Sequence, residues 1–456
     1  MTTSWPEVAI DDIAEEIAMG PFGSDIKTDN FVPSGVPIIR GGNLTRGRFN
    51  GDSFVYLTEE KADSLRKANA RPGDLVFTHR GTLGQVGLVP SGAQTRYVVS
   101  QSQMRLTCKS DVVDPAFLYY FFRSPAGQHE LLANTSQTGV PAISRPVTSL
   151  KSMRVPLPPL DEQRRIAHIL GTLDDKIELN RRMNETLEEM ARALFKSWFV
   201  DFDPVRAKAE GRDPGLPKHL ADLFPGRLVD SALGKIPENW RVARLGDLIA
   251  TRRGLSYSGA GLSESGVPLH NLNSINEGGG FKRAGMKYYT GDYQDHHLVL
   301  AGDVLVANTE QGHERRLIGF AAQVPEDAPS PSIASHHLYV ARPREGSGLS
   351  REFLCSLLNN ITVQDAVSRY ANGTTVNMLP SDALKMPHVA VPPAIVLKAF
   401  TQFRSLASRQ QDQHERDSKT LSQLRDLLLG ELFASSAQVA ASEGGGLWLG
   451  AVQPSH

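Results

Sequence analysis

The sequence lacks the marks of a secreted, membrane-spanning or disulfide-bonded protein. Its two cysteines, Cys108 and Cys355, lie far apart and outside any CxxC or Cys/His pattern. This excludes a disulfide framework and makes a reducing cytoplasm the expected location. The first residues do not pair a basic segment with an apolar one, as a signal peptide would. No run approaches about 18 apolar residues, so neither a membrane span nor a membrane partner is expected.

A basic excess is also missing. The formal net charge is −1, and residues 1–158 hold 16 Lys and Arg against 15 Asp and Glu. Nucleic-acid-binding domains usually carry surplus positive charge. A DNA-binding role would therefore require basic residues gathered on one face, or phosphate contacts made by partner subunits.

Motifs for catalysis are absent as well. Without a Walker A motif the chain encodes no ATP motor. The segment DPAF at 114–117 is faintly similar to the Asp-Pro-Pro-Tyr motif of amino-methyltransferases. It lacks the second proline and a preceding FxGxG-type loop, so we interpret Asp114 as a helix N-cap. The pairs at 296–297 and 336–337 are adjacent histidines without metal-ligand spacing. No catalytic residue, cofactor site or metal site is assigned.

The sequence does contain an internal repeat. GVP at 35–37 returns at 266–268, PGDL at 72–75 returns as AGDV at 301–304, and FL at 117–118 returns at 353–354. The offset between matched segments stays between 229 and 236 residues. A duplicated domain with small loop changes gives this pattern.

Each half of the repeat consists of a globular part and a long helix. Short β-branched runs such as those at 73–78 and 302–308 predict strands, with short helices among them. The predicted class is α+β, with two α/β domains related by a pseudo-two-fold repeat. After Pro-Pro pairs at 158–159 and 392–393, long runs with 4-3 apolar spacing predict two helices that pack as an antiparallel coiled coil. We expect the globular parts at opposite ends of that pair.

The two predicted seams share a polar centre. The seam positions are Ile166, Leu170, Leu173, Ile177, Asn180, Asn184, Leu187, Ala191, Leu194 and Trp198, then Val396, Phe400, Phe403, Ala407, Gln410, His414, Asp417, Leu421, Leu424 and Leu428. The midpoints 180 and 414 differ by the repeat offset of 234 residues. A buried polar layer there would set the register of the helices, whereas a frayed, solvated middle is the alternative. The first interpretation predicts side-chain contact between the two polar stretches.

The whole layout resembles the specificity subunits of type I restriction–modification systems. The matching segments are GVPIIRGGNL at 35–44, GDLVFTHRGTLGQVGLVP at 73–90, VPLPPLDEQRRIA at 155–167, LFKSWFVDFDP at 194–204 and LGKIPENW at 233–240. The resemblance implies two target-recognition domains that each read half of a split double-stranded DNA site. It also implies two methyltransferase and two motor/endonuclease subunits as partners, which would hold S-adenosylmethionine, ATP and Mg. This chain would be non-catalytic and without a cofactor.

The resemblance and the repeat together give the expected boundaries. These are a first recognition domain at 1–157, a long helix at 158–200, a linker at 201–236, a second recognition domain at 237–391, a second helix at 392–433 and a disordered tail at 434–456.

The candidate DNA contacts are side-chain types that reach base edges or phosphates. They come from the loop after the strand at 73–77, the basic cluster near 40–48, the polar segments at 136–144 and 372–379, and matching parts of the second half. Solvated turns and ordinary surface charge are the alternatives. The set is Arg40, Asn43, Arg46, Arg48, His79, Arg80, Thr82, Gln85, Gln103, Gln137, His270, Asn271, Asn273, Asn308, Gln311, His313, Arg315, His337 and Asn377.

Two other functional classes compete with this interpretation. One is a DNA methyltransferase or nuclease with an unrecognised catalytic site. The other is a coiled-coil scaffold that pairs two ligand-binding domains for something other than DNA.

Overall fold

The structure is a computed structural model that describes residues 5–23, 25–44, 49, 54–92, 94–136, 139–311, 314–373 and 376–443. The chain divides into two compact units, one of residues 1–179 with 417–456 and one of residues 180–416. Each unit combines a globular α+β part with a portion of both long helices, which confirms the predicted fold class. Among the described helices, none is both long and apolar enough to cross a membrane.

The first unit begins with short strands and helices and ends on the first long helix. Its elements are β1 Glu7–Ala9, α1 Ile10–Ile13, β2 Ala14–Met19, β3 Val36–Ile39, β4 Val55–Leu57, α2 Glu59–Ser64, β5 Asn69–Ala70, β6 Leu75–Thr78, β7 Val86–Leu88, β8 Tyr97–Val99, β9 Gln103–Cys108, α3 Pro115–Arg123, α4 Pro125–Leu132, β10 Thr135–Ser136, β11 Ala142–Ile143, α5 Pro146–Ser152, β12 Arg154–Pro156 and the start of α6 Leu160–Phe199.

The second unit repeats this order with a few additions. Its elements are α7 Asp203–Ala209, α8 Lys218–Ala221, β13 Leu228–Ser231, β14 Gly234–Pro237, β15 Arg241–Arg244, α9 Leu245–Leu248, β16 Ile249–Arg253, β17 Leu262–Ser263, β18 Val267–His270, β19 Lys287–Tyr289, β20 Leu298–Val299, β21 Val304–Ala307, β22 Thr309–Gln311, β23 Ala321–Gln323, β24 Ser332–Ala334, β25 Leu338–Pro343, α10 Arg351–Leu358, α11 Ile361–Ser368, β26 Val376–Met378, β27 His388–Val391 and the start of α12 Ala394–Glu443.

The strand order of the sheets confirms that the globular part is duplicated. The order β2-β9-β6-β7 in the first unit matches β16-β25-β21-β23 in the second. The order β4-β3-β8-β5 likewise matches β19-β18-β24-β20, to which β17 is added at one edge. In each unit the entry strand pairs with the exit strand, β1 with β12 and β15 with β27. The chain therefore enters and leaves each globular part at the same place.

A pair of glycines marks the same close approach in both units. Gly20 and Gly254 follow β2 and β16, 234 residues apart. A Cβ atom on Gly20 would lie 1.9 Å from the carbonyl oxygen of Ser100, and one on Gly254 would lie 2.2 Å from that of Ser335. Only glycine lets the two backbones come this close.

The N-cap interpretation of Asp114 is confirmed. Its carboxylate accepts hydrogen bonds from the backbone N–H groups of Ala116 (2.8 Å) and Phe117 (3.2 Å), and Pro115 occupies the first turn of α3. Both α3 and its counterpart α10 place phenylalanines in the cores of their units.

The two long helices pack antiparallel within each unit. In the second unit Asn184 of α6 contacts Gln411 of α12, and further along α6 Phe195 packs against Phe400. In the first unit Asp174 of α6 contacts Arg425 of α12. Residue numbers rise along one helix as they fall along the other, so the antiparallel prediction is confirmed.

The predicted seam holds in α6 but drifts in α12. Every seam position of α6 is buried or half-buried, whereas Gln410 and Leu424 of α12 are exposed. Their places are taken by Gln411 and Arg425, and the buried residues Val396, Ala407 and Leu429 fall on an eleven-residue spacing. A straight α-helix drifts by about 20° per heptad, so eleven residues bring it closer to the same face than seven do. The strict 4-3 assignment for α12 was wrong at these two positions.

The polar centre of the helix pair is a set of direct contacts. Asn180 Nδ2 donates to the carbonyl oxygen of His414 (3.3 Å), and Asn184 Nδ2 donates to that of Gln411 (3.2 Å). Gln411 Nε2 returns a bond to the carbonyl oxygen of Asn184 (3.1 Å), and His414 Nδ1 lies 2.8 Å from Asn184 Oδ1. Asn180 and His414 are buried. The predicted contact is confirmed, and the solvated alternative is wrong.

In each unit, ion pairs connect the globular part with α6 or α12. In the first unit the buried carboxylate of Asp174 accepts from Arg425 (2.7 Å) and from Arg123 and Tyr120 of α3 (3.0 Å each). In the second unit Arg283, in the loop before β19, donates to Asp327 (2.7 Å) and to Asp412 of α12 (2.6 Å).

Two predicted boundaries need correction. The linker at 201–236 is an ordered part of the second unit, because Phe202, Val205, Phe224 and Ile236 are buried in its core. Its prolines and glycines lie at the ends of short helices and of the β13–β14 hairpin. Helix α12 also continues to Glu443, ten residues past the expected end at 433. Residues 444–456 of the predicted tail lie outside the described residues.

Candidate nucleic-acid interface

Five of the predicted contact residues surround one cavity in the first unit. The cavity has a volume of about 350 Å³ and lies at the ends of β3, β6 and β9. The predicted residues that line it are Arg40, Arg80, Thr82, Gln85 and Gln103. Ile26, Phe31 and Ile38 form its apolar wall. Lining residues up to 77 positions apart, from Ile26 to Gln103, thus meet where one end of β3, from one sheet, lies beside ends of β6 and β9, from another sheet.

A chain of hydrogen bonds crosses the floor of this cavity. Its members, which we call the polar trio, are Thr78, Gln85 and Gln103. Gln103 Nε2 donates to Thr78 Oγ1 (3.2 Å), and Thr78 Oγ1 donates to Gln85 Oε1 (2.9 Å). The ends are anchored where Gln85 Nε2 donates to the carbonyl oxygen of Gly41 (3.2 Å) and Ser100 Oγ donates to Gln103 Oε1. The arrangement holds both amides in one orientation.

The turn between β6 and β7 presents the basic side chain of the cavity. Gly81 and Gly84 adopt positive φ angles of 96° and 84°, which the tight turn requires. Arg80 is exposed and forms a backbone bridge with Ala142, and Gly81 N–H donates to the carbonyl oxygen of Pro141 (2.8 Å). Pro141 and Ala142, from the segment predicted at 136–144, therefore lie directly against this turn.

Two predicted residues of the first unit point inward instead. Asn43 is buried, and its Oδ1 accepts from the backbone N–H of Arg40 (2.9 Å), which shapes the turn after β3. His79 is also buried, and this burial, with a smaller contribution from Arg80, holds its pKa below the ordinary value. A neutral, enclosed imidazole positions the turn rather than offering charge to a phosphate.

The second unit uses most of its predicted residues for internal structure. His270 is fully buried, its Nε2 lies 3.1 Å from Ser332 Oγ, and burial lowers its pKa to about 4. Asn271 caps a turn by accepting from Asn273 N–H (2.8 Å). Asn308 is fully buried and donates to the carbonyl oxygen of His336 (3.0 Å). Asn377 is buried as well. The polar atoms of His270 and Asn308 thus bond within the protein, and contact of this group with DNA stays a prediction.

Three described candidates in the second unit are exposed or half-buried rather than enclosed. Arg315 is exposed with a left-handed φ of 53°, and Asn273 is exposed on its turn. His337 is half-buried, and its Nδ1 lies 2.9 Å from Thr309 Oγ1. Burial, followed by the nearby His336 and other cations, lowers the pKa of His337.

The carboxylate of Glu310 shapes the loop that carries Arg315. It accepts hydrogen bonds from the backbone N–H groups of Arg316 (2.8 Å), Leu317 (3.3 Å) and Ile318 (3.3 Å). These bonds hold the backbone of residues 316–318 against the Glu310 carboxylate. The segment 309–320 matches the Arg-Gly-Thr loop of the first unit poorly in sequence.

Some predicted residues lie outside the described part of the chain. Arg46, Arg48, Gln137 and His313 belong to this group. The backbone of Gln311 lies in β22, but its side chain is outside the described set.

Sequence reasoning missed Arg253 and Thr78. Arg253 ends β16, is exposed, and donates through Nε to the carbonyl oxygen of His336 (2.9 Å), next to His337. Its signal was available, since it directly precedes Gly254, the repeat partner of Gly20. Thr78 was read as a strand residue, and only the strand register brings it against Gln103.

The cysteines and the acidic residues offer no reactive centre in the described regions. Cys108 and Cys355 are buried, and burial raises the pKa of each thiol to about 12. Both thiols stay protonated at neutral pH, and a protonated thiol is a poor nucleophile. Across the described residues, no three His, Cys, Asp or Glu side chains are grouped so as to hold a metal ion.

The comparisons with known proteins find similarity to proteins of one kind. Residues 3–189 match the family model described as the type I restriction modification DNA specificity domain. The HindI specificity subunit of Haemophilus influenzae is 30% identical over 239 residues, which is 52% of this chain and 49% of that protein. The match thus spans about half the length of each. The MjaIX specificity subunit of Methanocaldococcus jannaschii is 24% identical over 406 residues, 85% of this chain and 84% of the relative.

A solved structure shares the fold over almost the whole length. The crystal structure of a type I restriction–modification S subunit from M. genitalium superposes with a TM-score of 0.54. The superposition covers 94% of this chain and 96% of that chain at 15% sequence identity.

Proposed function

We propose that the chain is a specificity subunit of a type I restriction–modification system and that it selects the DNA sequence on which such a complex acts. Each globular part would read one half of a split double-stranded target. The helix pair that both units share would set the number of unread base pairs between the halves.

The observation that carries this proposal is the cavity of the first unit. Five polar and basic side chains chosen for their ability to reach bases or phosphates converge there from three strand ends. Arginine, glutamine and threonine side chains are suited to base edges in the major groove.

The duplicated fold supports a bipartite target. The two units repeat the same strand order but differ in the residues at the strand ends. One fold with two different sets of contact residues is suited to reading two unlike half-sites. We infer that two methyltransferase subunits and two motor/endonuclease subunits bind this chain and carry the cofactors and the chemistry. The chain itself would be non-catalytic.

Methylome mapping tests the proposal directly. The chain is expressed with the methyltransferase subunit of its host in cells that lack other DNA methylation. We expect one methylated motif of two short half-sites separated by a fixed spacer. No methylation without the chain, and a motif that changes when its recognition domain changes, are the expected controls. Methylation of the same motif by the partner alone would refute the proposal, and turnover by this chain alone would favour the enzyme alternative.

A further inference from the structure

The second unit has a group of basic residues at a place where the first unit has uncharged ones. We call this group the basic cluster, and its members are Arg253, Lys287, His336 and His337. Arg253 ends β16 and Lys287 begins β19, whereas the histidine pair directly precedes β25. Three separate strands of the second unit thus contribute to the cluster.

The strand registers identify the matching residues of the first unit. In the order Arg253, Lys287, His336 and His337, the counterparts are Met19, Val55, Gln101 and Ser102. All four counterparts are uncharged, and the last two line the cavity of the first unit. The shared backbone layout therefore does not require basic residues here. The basic cluster also occupies the part of the second unit that corresponds to one side of that cavity.

Contacts and exposure bring the basic cluster to one patch of surface. The ring centroids of His336 and His337 are 3.9 Å apart. Arg253 Nε donates to the carbonyl oxygen of His336 (2.9 Å), and His337 Nδ1 lies 2.9 Å from Thr309 Oγ1. Arg253 and Lys287 are exposed, and both histidines are half-buried. A ligand in solvent can therefore reach this patch.

The electrostatics of the histidine pair show an excess of positive charge. Burial lowers the pKa of both imidazoles, and Arg253 lowers both further. His336 and Lys287 add to the effect on His337. Among the described residues, every charged group that shifts either pKa is thus a cation. Both imidazoles are mainly neutral at neutral pH in the free chain, and an anion would relieve the repulsion within the cluster.

Carboxylates on neighbouring segments are bonded elsewhere. Glu310 follows Thr309 in β22, but its carboxylate accepts from the backbone of residues 316–318. Asp382 accepts from Lys385 Nζ at 2.9 Å. Tyr257 packs its ring 5.7 Å from that of His336, and its phenol carries no formal charge. The positive charge of the basic cluster is therefore available to a ligand.

Resting on the proposed function, we propose that the basic cluster binds a phosphate group of the DNA backbone at the half-site read by the second unit. Arginine, lysine and protonated histidine are suited to phosphate oxygens. Convergent positive charge matches a phosphate better than a base edge, because base edges are uncharged. The bound phosphate supplies the missing negative charge, so an imidazole of the pair takes up a proton from the solvent as the complex forms.

The first test measures DNA affinity of the complex of the full chain with its methyltransferase subunits. Arg253→Met is the main variant, since the first unit already has methionine at this place in the fold. Affinity should fall roughly tenfold on the target and by a similar factor on a scrambled duplex. The slope of log affinity against log salt concentration should become shallower by about 1.

Arg241→Met is the matched control. Arg241 is also exposed and also donates to a backbone carbonyl, that of Ser347 (3.3 Å). It lies outside the basic cluster, so both the affinity and the salt slope should match wild type.

The contacted phosphate is located by changing the DNA alone. Single phosphates of the half-site read by the second unit are replaced in turn by uncharged methylphosphonate. One replacement should weaken binding of the wild-type complex roughly tenfold. The same replacement should have little effect in Arg253→Met, because that contact is already lost.

A double variant tests the histidine pair. His336→Gln with His337→Ser installs the residues that the first unit has at these positions. Wild-type affinity should rise as the pH falls from about 8 to about 6, because bound phosphate raises the imidazole pKa and binding then takes up a proton. The double variant should lose most of this rise and still select the same motif.

Three results would overturn the inference. These are equal salt slopes for wild type and Arg253→Met, no methylphosphonate position that weakens wild type, and an unchanged pH dependence in the double histidine variant. A relaxed base preference at one position without uniform weakening would also overturn it, because the cluster would then read a base edge. Failure of the proposed function looks different, because the wild-type complex would then yield no bipartite motif at all.

Discussion

Gly254 illustrates how a single residue holds a globular part together. The backbone after β16 passes the Ala334–Ser335 segment so closely that a Cβ atom at this glycine would lie 2.4 Å from one carbonyl oxygen and 2.2 Å from the next. Neither neighbour is a flexible side chain that could move aside.

Gly254→Ala should therefore lower the free energy of unfolding by at least about 2 kcal/mol, as overpacking does in tight interiors. The measurement is the thermal or urea midpoint of the full chain. Gly226→Ala is the matched control, since a Cβ atom there meets no atom within 4 Å. It should change stability by less than about 0.5 kcal/mol. Equal effects of the two variants would contradict the argument.

The Glu188–Arg404 pair shows how charge is handled inside the helix pair. Arg404 donates to Glu188 at 3.0 Å, and both side chains are largely covered. Burial alone would raise the pKa of Glu188, but Arg404 and then Arg192 outweigh it and leave the pKa below its ordinary value.

Arg404→Leu should cost about 3 kcal/mol, because it leaves a covered carboxylate without its main partner. A carboxyl group with a lowered pKa stabilises the fold above its unfolded pKa, and this contribution disappears as the pH falls through the folded pKa. The difference between wild type and Arg404→Leu should thus be full at pH 7 and shrink well below about pH 4. Urea midpoints across this range measure it.

Arg192→Leu provides the contrast for that experiment. Arg192 also pairs with Glu188, at 3.2 Å, but its side chain is 53% exposed. The loss should be at most about 1 kcal/mol, as for other exposed pairs. A pH-independent loss in Arg404→Leu would show that packing, not charge, explains it.

At the scale of elements, the polar layer of α6 and α12 is a set of interdependent bonds. His414 Nδ1 faces Asn184 Oδ1 at 2.8 Å inside the helix pair. An acceptor left unpaired in such a place costs about 1–3 kcal/mol, whereas an apolar pair of similar size can be neutral or better.

His414→Leu should therefore destabilise the chain by about 1–3 kcal/mol, and the added change Asn184→Leu should recover most of the loss. The double-mutant cycle in urea gives the coupling directly. The double variant should also methylate with a less uniform spacer, because a polar layer fixes register at some cost in stability. Additive losses in the two single variants would rule out this coupling.

Helix length gives a second prediction at this scale. Adding four residues extends an α-helix by about 6 Å, and duplex DNA rises about 3.4 Å per base pair along each strand. One extra turn in both α6 and α12, away from the polar layer, should widen the spacer by one or two base pairs. The half-sites should be unchanged when the motif is mapped. A change of base preference without a change of spacing would refute the role of the helices as a ruler.

The long helices were predictable because one repeat offset and one apolar spacing extended over many residues. The repeat offset and the Pro-Pro pairs located both long helices to within a few residues at their starts, and the spacing predicted the buried face of α6. The drift at Gln410 and Leu424 was not predictable from a heptad pattern, because the 3.6-residue period of an α-helix departs from a strict seven-residue repeat by about 20° per heptad. The core role of the linker depended on contacts of Phe202 and Phe224 that local sequence does not reveal.

At the scale of the whole molecule, each globular part should be replaceable. Exchanging residues 1–155 for another recognition domain should change one half-site and keep the other half-site and the spacer. The reason is that these residues hold the cavity of the first unit, whereas the helices follow them. Methylome mapping of the hybrid measures it. A hybrid that altered both half-sites would contradict the division of labour.

The candidate interface was predictable only in part, for a reason that also lies at this scale. Residue type and loop position located Arg80, Gln85 and Gln103, which the strands then bring to one cavity. The same reasoning selected His270 and Asn308, which are fully buried, and Gln103 itself lines the cavity with only 1% of its surface exposed. Polar residues at strand ends either face a ligand or satisfy the backbone of a turn, and only the completed packing separates these two uses.

The pairing of entry and exit strands has a consequence for how new targets arise. Since β1 pairs with β12 and β15 pairs with β27, the first and last strands of each globular part are neighbours. A globular part taken from another protein then has to fit this chain at one small region rather than at two distant regions. Under the proposed function, recombination would therefore exchange either globular part alone, and a small number of each would combine into many different DNA targets.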